Sequence, residues 1–243
     1  MGSSPTARTI IVMFKIKILS VTIFVFLSLN AFSQALEEKI EKFLLENPEV
    51  ILKSLQNFEE KKAKEQEVTN EKIINENLDI LTDSSNGLYD GNINSKKIIV
   101  KFFDYNCSYC KKAHTDIQKL LKKEDIKVVY KNFPILSENS VFLAKLGIFI
   151  AEKDIDSFNR FYKMINENKG RLSKEKLSEI TKKLGVNLDE LNDEQVNIRL
   201  EKKLKMDVDL ANKLGLRGTP AFVVGNEIIF GYVPVDELLN KIN

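Results

Sequence analysis

Two cysteines separated by two residues are the residues of this sequence best suited to chemistry. Cys107 and Cys110 are the only cysteines among 243 residues, and the only histidine, His114, follows one helical turn later. A thiolate at the start of a helix is stabilised by free backbone N–H groups and the helix dipole, which lowers its pKa. The spacing therefore predicts a redox pair, with Cys107 as the exposed nucleophile and Cys110 as the more buried resolving thiol.

Two other uses of the pair stay open at this point. A structural disulfide would close so short a loop that it would remove little entropy from the unfolded chain. A zinc site would have only Cys107, Cys110 and His114 as soft ligands, one short of a structural site. The sequence has no GxGxxG, phosphate loop or HExxH pattern, and no metal or nucleotide cofactor is expected.

The cysteine pair is predicted to lie between a strand and a helix. The run "KIIVKFF" at 97–103 is typical of a buried strand, and residues 107–123 have helical spacing. A second strand is predicted for "IKVVYKNF" at 126–133. Strand, helix and strand in such a short stretch indicate a βαβ unit with parallel strands.

The remaining C-terminal residues predict a helical block followed by a hairpin. Residues 138–215 are predicted to be almost wholly helical, and Gly215 is expected to end the last helix. In "TPAFVVGNEIIFGY", two apolar runs flank Gly225 and Asn226, a two-residue hairpin signal, and a short amphipathic helix follows. One mixed sheet with helices on both faces fits this order, which is an α/β fold.

The N-terminal part of the mature chain, residues 36–82, is predicted to be helical throughout. In "EEKKAKEQE" the apolar stripe nearly vanishes, so this part cannot hold itself onto a core. It is either a solvated connector or a self-association stalk. Turn formers at 82–92 mark the boundary with the C-terminal domain. Before the charged run, apolar residues recur at helical spacing: Leu36, Ile40 and Phe43, then Ile51, Leu55 and Phe58.

Residues 1–33 are predicted to contain a secretory signal peptide, with 1–12 a non-native start. An apolar run at 18–29 follows two lysines and precedes small residues at the cleavage position. An uncleaved membrane anchor is the alternative, although the run is short. Without residues 1–33 the chain has 34 basic and 35 acidic residues, a net charge of −1 that argues against nucleic-acid binding. Export and one close cysteine pair indicate the periplasm, an oxidising compartment.

Several of these stretches together resemble a known family. "FFDYNCSYC", "KNFPIL" and "RGTPAFVVGNEIIFGY" resemble the DsbA-like branch of the thioredoxin superfamily. With "IEKFLLENPEVILKSL", residues 36–243 are similar to ScsC-type and outer-membrane-antigen-like proteins of that branch. The resemblance implies a DsbA-like thioredoxin domain over 83–243, with a helical insertion at 137–215.

The resemblance also implies roles for individual residues. Cys107 corresponds to the attacking cysteine and Cys110 to the resolving one, with Ser108 and Tyr109 as the dipeptide that tunes the pair. Thr219-Pro220 corresponds to the cis-proline loop, which faces the cysteines and binds the substrate backbone. ScsC-like relatives imply that residues 36–82 assemble protomers, commonly as trimers, which favours disulfide shuffling.

Lys101 and His114 are further candidates for tuning the pair. Lys101 lies six residues before Cys107, where thioredoxin-like proteins often bury an acid that relays protons. Its side chain either reaches solvent from the strand or steadies a cysteine thiolate. His114 shares a helix face with both cysteines, so it is either a packed or exposed residue or takes part in proton transfer. The Ser-Tyr dipeptide itself offers no histidine to stabilise the thiolate.

The sequence therefore predicts a periplasmic protein thiol:disulfide oxidoreductase, acting as an oxidase or isomerase. Its expected partners are client proteins with cysteines or disulfides and a membrane redox partner that resets the pair. One alternative is a non-enzymatic envelope scaffold on a thioredoxin core, whose N-terminal helices bind a partner. Another is a dedicated reductase of a single client.

Overall fold

The structure is a computed structural model that describes residues 36–85, 87–168, 170 and 172–242. The predicted signal peptide therefore lies outside the described residues. The chain forms two compact units, which divide between Lys64 and Glu65. No helix within the described part of the chain is long and apolar enough to cross a membrane.

The described part of the first unit is helical, as predicted. Residues 36–46 form helix α1, and α2 (Pro48–Glu76) starts at a proline, whose missing N–H is not needed in the first turn. A short helix α3 (Leu78–Thr82) follows α2 in the second unit. Nine large apolar side chains in the described part of the first unit are 40–74% exposed: Leu36, Ile40, Phe43, Leu45, Val50, Ile51, Leu52, Leu55 and Phe58.

The second unit contains a five-stranded sheet in the order β1-β3-β2-β4-β5. Strands β2 and β3 are parallel, and the other neighbours are antiparallel, so the predicted βαβ unit and mixed sheet are confirmed. Strand β1 lies inside the turn-rich stretch at 82–92 and was not predicted, because three residues are too short for an alternating pattern. The strands are β1 (Tyr89–Gly91), β2 (Ile98–Phe103), β3 (Lys127–Asn132), β4 (Ala221–Val224) and β5 (Glu227–Phe230).

The predicted helical block between β3 and β4 is present. Gly215 ends it with a φ of 70°, a left-handed conformation that favours glycine. Gly225 and Asn226 form the turn of the predicted β4–β5 hairpin. The helices are α4 (Ser108–Leu121) after β2, then α5 (Glu138–Lys153), α6 (Ile155–Glu167), α7 (Lys174–Lys183), a 3-10 helix (Leu188–Asn192), α8 (Glu194–Lys213) and, last, α9 (Val235–Ile242).

The sheet carries a core on each face. Because side chains alternate along a strand, Phe103 belongs to one cluster and Phe102 to the other. The first cluster includes buried residues of α4, α5 and α6, and the second includes Leu81 of α3 and Leu210 of α8. The mixed sheet in the order β1-β3-β2-β4-β5, the helical insertion and the helices on both faces confirm the predicted thioredoxin fold.

Candidate active site

Cys107 stands between the end of β2 and the first residue of α4. The buried Asp104 carboxylate fixes this connection, since it accepts hydrogen bonds from the backbone N–H of Asn106 (2.8 Å) and of Leu136 (3.0 Å). Cys107 Sγ caps α4 by accepting a hydrogen bond from the Cys110 backbone N–H at 3.3 Å. A thiolate here meets unpaired backbone donors and the positive end of the helix dipole.

This environment favours the reactive form of Cys107. A hydrogen bond from the Cys110 side chain lowers the pKa of Cys107 to about 6, assisted by the Thr219 side chain and the backbone N–H groups of Cys110 and Tyr109 and opposed by burial. The side chain is 7% exposed. Because the thiolate is the nucleophile, Cys107 is ready to react at neutral pH.

Cys110 has the opposite character. Its side chain is fully buried, and burial raises the pKa of its thiol far above the ordinary value. The hydrogen bond to Cys107 raises that pKa further, whereas the positive charge of Lys101 lowers it. The prediction that Cys110 is the more buried thiol is confirmed. In the structure both cysteines are free thiols.

The predicted proline loop faces the pair. The Thr219-Pro220 peptide bond is cis, and Cys107 Sγ lies 3.2 Å from the Thr219 carbonyl oxygen. Pro220 is buried, and its carbonyl oxygen accepts a hydrogen bond from Gly231 N–H at 2.9 Å, which ties the loop to the end of β5. Because the loop directly precedes β4, and β4 pairs with β2, a distant part of the sequence lies next to the cysteines.

The dipeptide between the cysteines lies at the surface. Ser108 is exposed, and Tyr109 is 60% exposed with its ring 6.4 Å from the ring of Tyr232. Lys112 Nζ lies 4.1 Å from the centre of the Tyr232 ring, and Tyr232 Oη donates to Asp116 at 2.6 Å. Tyr232 was not predicted at the site, because only the path of the chain after β5 brings it to α4.

An open cleft of about 800 Å³ is lined by the two chain neighbours of Cys107. Leu136, which follows β3, is 55% exposed and lines this cleft. These residues after β3 were also missed, because a short loop carries no pattern that indicates a site. The other lining side chains include Asn106, Ser108, Lys111, Ser137 and Asn139.

Lys101 lies beneath the pair and does not reach solvent, since it is 0% exposed. Its Nζ donates to the Cys110 carbonyl oxygen at 3.2 Å and to Tyr162 Oη at 3.1 Å. Burial lowers the pKa of Lys101 to about 8, against the opposing influence of Cys110 and Cys107. The structure therefore brings Lys101 to the cysteines.

His114 is also buried next to this group. It is 2% exposed, its ring lies edge-on to Tyr162 at 5.2 Å, and neither ring nitrogen has a hydrogen-bond partner among the described residues. Burial lowers the pKa of His114 to about 3, helped by the charges of Lys101 and Lys163. The imidazole is therefore neutral at physiological pH. Among the described residues, no group of three or more His, Cys, Asp or Glu side chains could hold a metal ion.

The sheet order, the helix capped by a cysteine and the facing cis-proline place the protein in the thioredoxin superfamily. More narrowly, residues 98–243 match the DSBA-like thioredoxin domain, and the chain belongs to that family of thiol-disulfide oxidoreductases. The predicted resemblance to the DsbA-like branch is confirmed.

Individual relatives agree with this assignment. The chain is 28% identical over 141 residues to the probable disulfide bond formation protein D of Bacillus cereus; the match covers 53% of this chain and 65% of that protein, slightly less than two thirds of its length. The thiol-disulfide exchange protein α-DsbA2 of Wolbachia pipientis is 28% identical with a TM-score of 0.66, covering 72% of this chain and 95% of that one. A linker-deletion mutant of Proteus mirabilis ScsC is 21% identical with a TM-score of 0.65, covering 100% and 97%. At that identity the likeness shows the fold alone.

Proposed function

We propose that this protein is a periplasmic protein thiol:disulfide oxidoreductase that uses Cys107 and Cys110 as a disulfide oxidase or isomerase. The observation that carries the proposal is the contrast between the two thiols, one at a helix N-terminus with a lowered pKa and one buried with a raised pKa. The names of the relatives, a disulfide bond formation protein and a thiol-disulfide exchange protein, support the same chemistry.

In client oxidation, a client thiolate attacks Cys107 Sγ of the oxidised pair. The Cys107–Cys110 bond breaks, Cys110 leaves, and a client–Cys107 mixed disulfide forms. A second client thiolate then attacks the client sulfur, and Cys107 leaves as a thiolate. Two electrons pass from the client to the pair, so the client gains a disulfide. In isomerisation the reduced Cys107 attacks a client disulfide instead.

The groups around the pair are assigned to client binding and tuning. Thr219-Pro220 binds the client backbone in extended form, because the loop already lies 3.2 Å from Cys107 Sγ. Ser108 and Tyr109 tune the pair from the surface. Lys101 and His114 act from beneath it, on the other side of α4. No metal or nucleotide takes part in these steps.

The proposal includes a location and partners. An N-terminal signal exports the chain to the periplasm, client proteins supply cysteines or disulfides, and a membrane redox partner resets the pair. Copies assemble through residues 36–82, since an array of large apolar side chains is exposed in the first unit and such surfaces usually mark interfaces. Replacing Leu55 and Phe58 together by Glu should give monomers in sedimentation analysis, with the reduction potential unchanged.

The central test is the reduction potential of the pair in protein lacking residues 1–33. Equilibration with glutathione, read by alkylation and mass, should give a value above roughly −200 mV, as expected of a disulfide donor or isomerase. A value near −270 mV, that of thioredoxin, would instead indicate a reductase. If no reversible step occurs, the scaffold alternative gains support and this proposal fails.

The pH dependence of alkylation tests the assigned roles. With Cys110→Ala as background, the alkylation rate of Cys107 should rise with pH, because only the thiolate reacts. In the wild type the midpoint is expected at about 6. Since the Cys110 side chain is the largest cause of that low value, the midpoint in Cys110→Ala should be higher. Equal midpoints would contradict the assigned role of Cys110.

A further inference from the structure

A short loop joins the end of β2 to Cys107, and Asp104 closes that loop on itself. The Cys107 backbone N–H donates to the Asp104 carbonyl oxygen at 3.1 Å. The Asn106 backbone N–H donates to Asp104 Oδ1 at 2.8 Å, the hydrogen bond of an Asx-turn. Asp104 therefore accepts hydrogen bonds both from Cys107 and from the residue before it.

Two contacts fasten this loop to the start of the helical insertion. The Leu136 backbone N–H, just before α5, donates to the second carboxylate oxygen of Asp104 at 3.0 Å. Asn106 Nδ2 donates to Ser140 Oγ at 2.9 Å and, at 3.4 Å, to Ser137 Oγ at the N-cap of α5. We call the side chains of Asp104, Asn106, Ser137 and Ser140, together with the Leu136 N–H, the loop network.

The loop network is shielded from water at both ends. Asp104 is 1% exposed and Ser140 is 0% exposed. A hydrogen bond is electrostatically stronger in such an interior than in water, and a buried carboxylate that loses a donor is costly. The backbone before Cys107 is therefore fixed by its contacts with the insertion as well as by its own turn.

The loop matters for reactivity because α4 does not fix Cys107 by itself. As the N-cap, Cys107 has an extended backbone with φ −78° and ψ 119°, outside the helix. Its Sγ nevertheless accepts a hydrogen bond from the Cys110 N–H at 3.3 Å and lies 3.2 Å from the Thr219 carbonyl oxygen. Hydrogen bonds weaken steeply when their geometry is poor. A small movement of the loop therefore changes how well the thiolate is stabilised.

We propose that Asp104 is a positioning residue, through which the helical insertion keeps Cys107 in place for thiol–disulfide exchange; the proposal rests on the proposed function. The Asp104 carboxylate, with Asn106 as a second link, joins the start of α5 to the loop that carries Cys107. Asp104 acts through Cys107 and takes no part in the covalent steps. The insertion is thus part of the redox site, because it sets how strongly the N-terminus of α4 stabilises the thiolate.

A second way for the carboxylate to act is through its charge, and the two effects have opposite signs. A negative charge close to a thiol raises the pKa of that thiol, so removing the charge would lower the pKa of Cys107. Loosening the loop weakens the hydrogen bonds to the thiolate and raises that pKa. Of the titratable groups, Cys110 on the same helix and Lys101 on β2 also interact with Cys107, and neither belongs to the loop network.

Asp104→Asn separates these effects, because one carboxamide oxygen replaces two carboxylate oxygens and cannot serve both N–H donors in the same way. The rate of Cys107 alkylation by iodoacetamide, followed from acid to mildly alkaline pH at constant ionic strength, gives the midpoint of thiolate formation. From a wild-type value of about 6, the midpoint should rise by about 1 pH unit, as for the loss of one hydrogen bond to the thiolate.

Asp83→Asn is the matched control for this substitution. Asp83 Oδ1 also accepts a hydrogen bond from a backbone N–H two residues on, that of Ser85 at 2.8 Å, but at an exposed site before β1. Its midpoint should equal that of the wild type. An unchanged or lower midpoint in Asp104→Asn, or an equal rise in the control, would overturn the inference. If glutathione equilibration finds no reversible step in the wild type, the proposed function fails, whereas the midpoints still test the loop network.

Asn106→Ala keeps the test decisive if Asp104→Asn does not fold. The side chain loses its contact with α5, while the backbone N–H of the Asx-turn remains, so the midpoint should rise by about half a pH unit. Asn139→Ala is the matched control, since Asn139 lines the same cleft but its side chain makes no hydrogen bond to the described residues 104–107. Equal midpoints in these two variants would overturn the inference.

Ser140→Ala tests the same link from the side of the insertion. It removes the acceptor of Asn106 Nδ2 and leaves the sequence of the loop unchanged, so the midpoint should rise as in Asn106→Ala. The two substitutions together should shift the midpoint little further than Asn106→Ala alone, because both break the same hydrogen bond. Fully additive shifts would contradict a link between α5 and the loop that carries Cys107.

Discussion

Lys101 and Lys131 are two buried lysines on neighbouring parallel strands, and they differ in what surrounds the charge. Lys101 is paired in register with Tyr130, and Lys131 with Phe102, so their side chains point to opposite faces of the sheet. Lys131 Nζ lies 3.9 Å from Asp207 Oδ1 of α8 and donates to the Asp83 carbonyl oxygen at 3.5 Å. Lys101 contacts a carbonyl and a tyrosine hydroxyl instead.

The acid partner decides the role of each lysine. Asp207 Oδ2 also accepts hydrogen bonds from the backbone N–H (2.8 Å) and side-chain Nδ2 (3.2 Å) of Asn132, so the pair with Lys131 fastens α8 to the end of β3. A buried cation with an anion beside it is held in one charge state, whereas one without an anion changes protonation more easily. Lys131 is therefore suited to stabilising the fold, and Lys101 to influencing the cysteine pair.

The largest expected effect follows from removing one lysine at a time. Lys131→Met leaves the Asp207 carboxylate buried without its cation, which should cost about 3–5 kcal/mol of unfolding free energy at pH 8. At the same pH, Lys101→Met removes a buried charge that has no anion, so it should cost little or stabilise the protein. Urea unfolding of both variants measures the difference.

Two results would contradict this contrast between the two lysines. Equal losses of unfolding free energy in the two variants would mean that the Asp207 carboxylate does not make Lys131 more important for stability than Lys101. The loss in Lys131→Met should also shrink at pH 5, because Asp207 can then take up a proton. A loss that does not depend on pH would exclude an uncompensated carboxylate as its cause.

The pH dependence of stability sharpens the role of Asp207. Burial raises the pKa of Asp207 to about 6 from an ordinary 3.8, although Lys131 and Asn132 lower it. The folded state therefore binds the proton more tightly, so this contribution to stability is complete below pH 3.8 and is lost as pH rises through 6. At 1.36 kcal/mol per pKa unit the loss is at most about 3 kcal/mol.

Asp207→Asn measures that contribution. The wild type should lose stability relative to this variant between pH 4 and pH 7, in urea unfolding at constant ionic strength. Lys205, on the same helix, pairs with Asp209 at an exposed site, so Asp209→Asn is a control whose pH profile should follow the wild type. Parallel profiles for all three proteins would contradict the raised pKa of Asp207.

Much of the fold could be predicted because its signals are local. The apolar runs of β2 and β3, the Gly225-Asn226 turn and the spacing of Cys107 and Cys110 each lie within a few residues of sequence. Thr219-Pro220 could be placed opposite the cysteines only through the resemblance to a family, since no local pattern links positions so far apart.

The groups beneath and beside the pair could not be predicted from local patterns. Tyr162 belongs to the middle of a distant helix, and its contact with Lys101 arises from the packing of α6 against β2. Lys101 itself was ambiguous, because a lysine stem can run along apolar surface and put its amine in water. The burial of Lys101 depends on a layer of aromatic rings that covers the strand, formed by Tyr105, Tyr130 and Tyr162. Only the assembled helices and strands create this layer.

The smallest expected effect concerns the packing of that ring layer over Lys101. A Cβ at Gly147 of α5 would clash with Tyr105 Oη, because the tyrosine hydroxyl fills the space beside the glycine. Tyr105 cannot shift easily, because its ring is 4.9 Å from that of Phe103 and 5.6 Å from that of Phe161. Gly147→Ala should therefore destabilise the protein by about 1–3 kcal/mol through overpacking.

A double-mutant cycle with Tyr105→Phe identifies the cause of that loss. Removing the hydroxyl takes away the atom nearest to the added methyl group, so Gly147→Ala should cost less in the Tyr105→Phe background than in the wild type. The recovery should be partial, since Tyr105 Cζ would still lie 3.2 Å from the Cβ. If the two losses in unfolding free energy were simply additive, a clash with the Tyr105 hydroxyl would not be the cause of the Gly147→Ala loss. The aromatic rings over Lys101 would then be packed less tightly than their burial indicates.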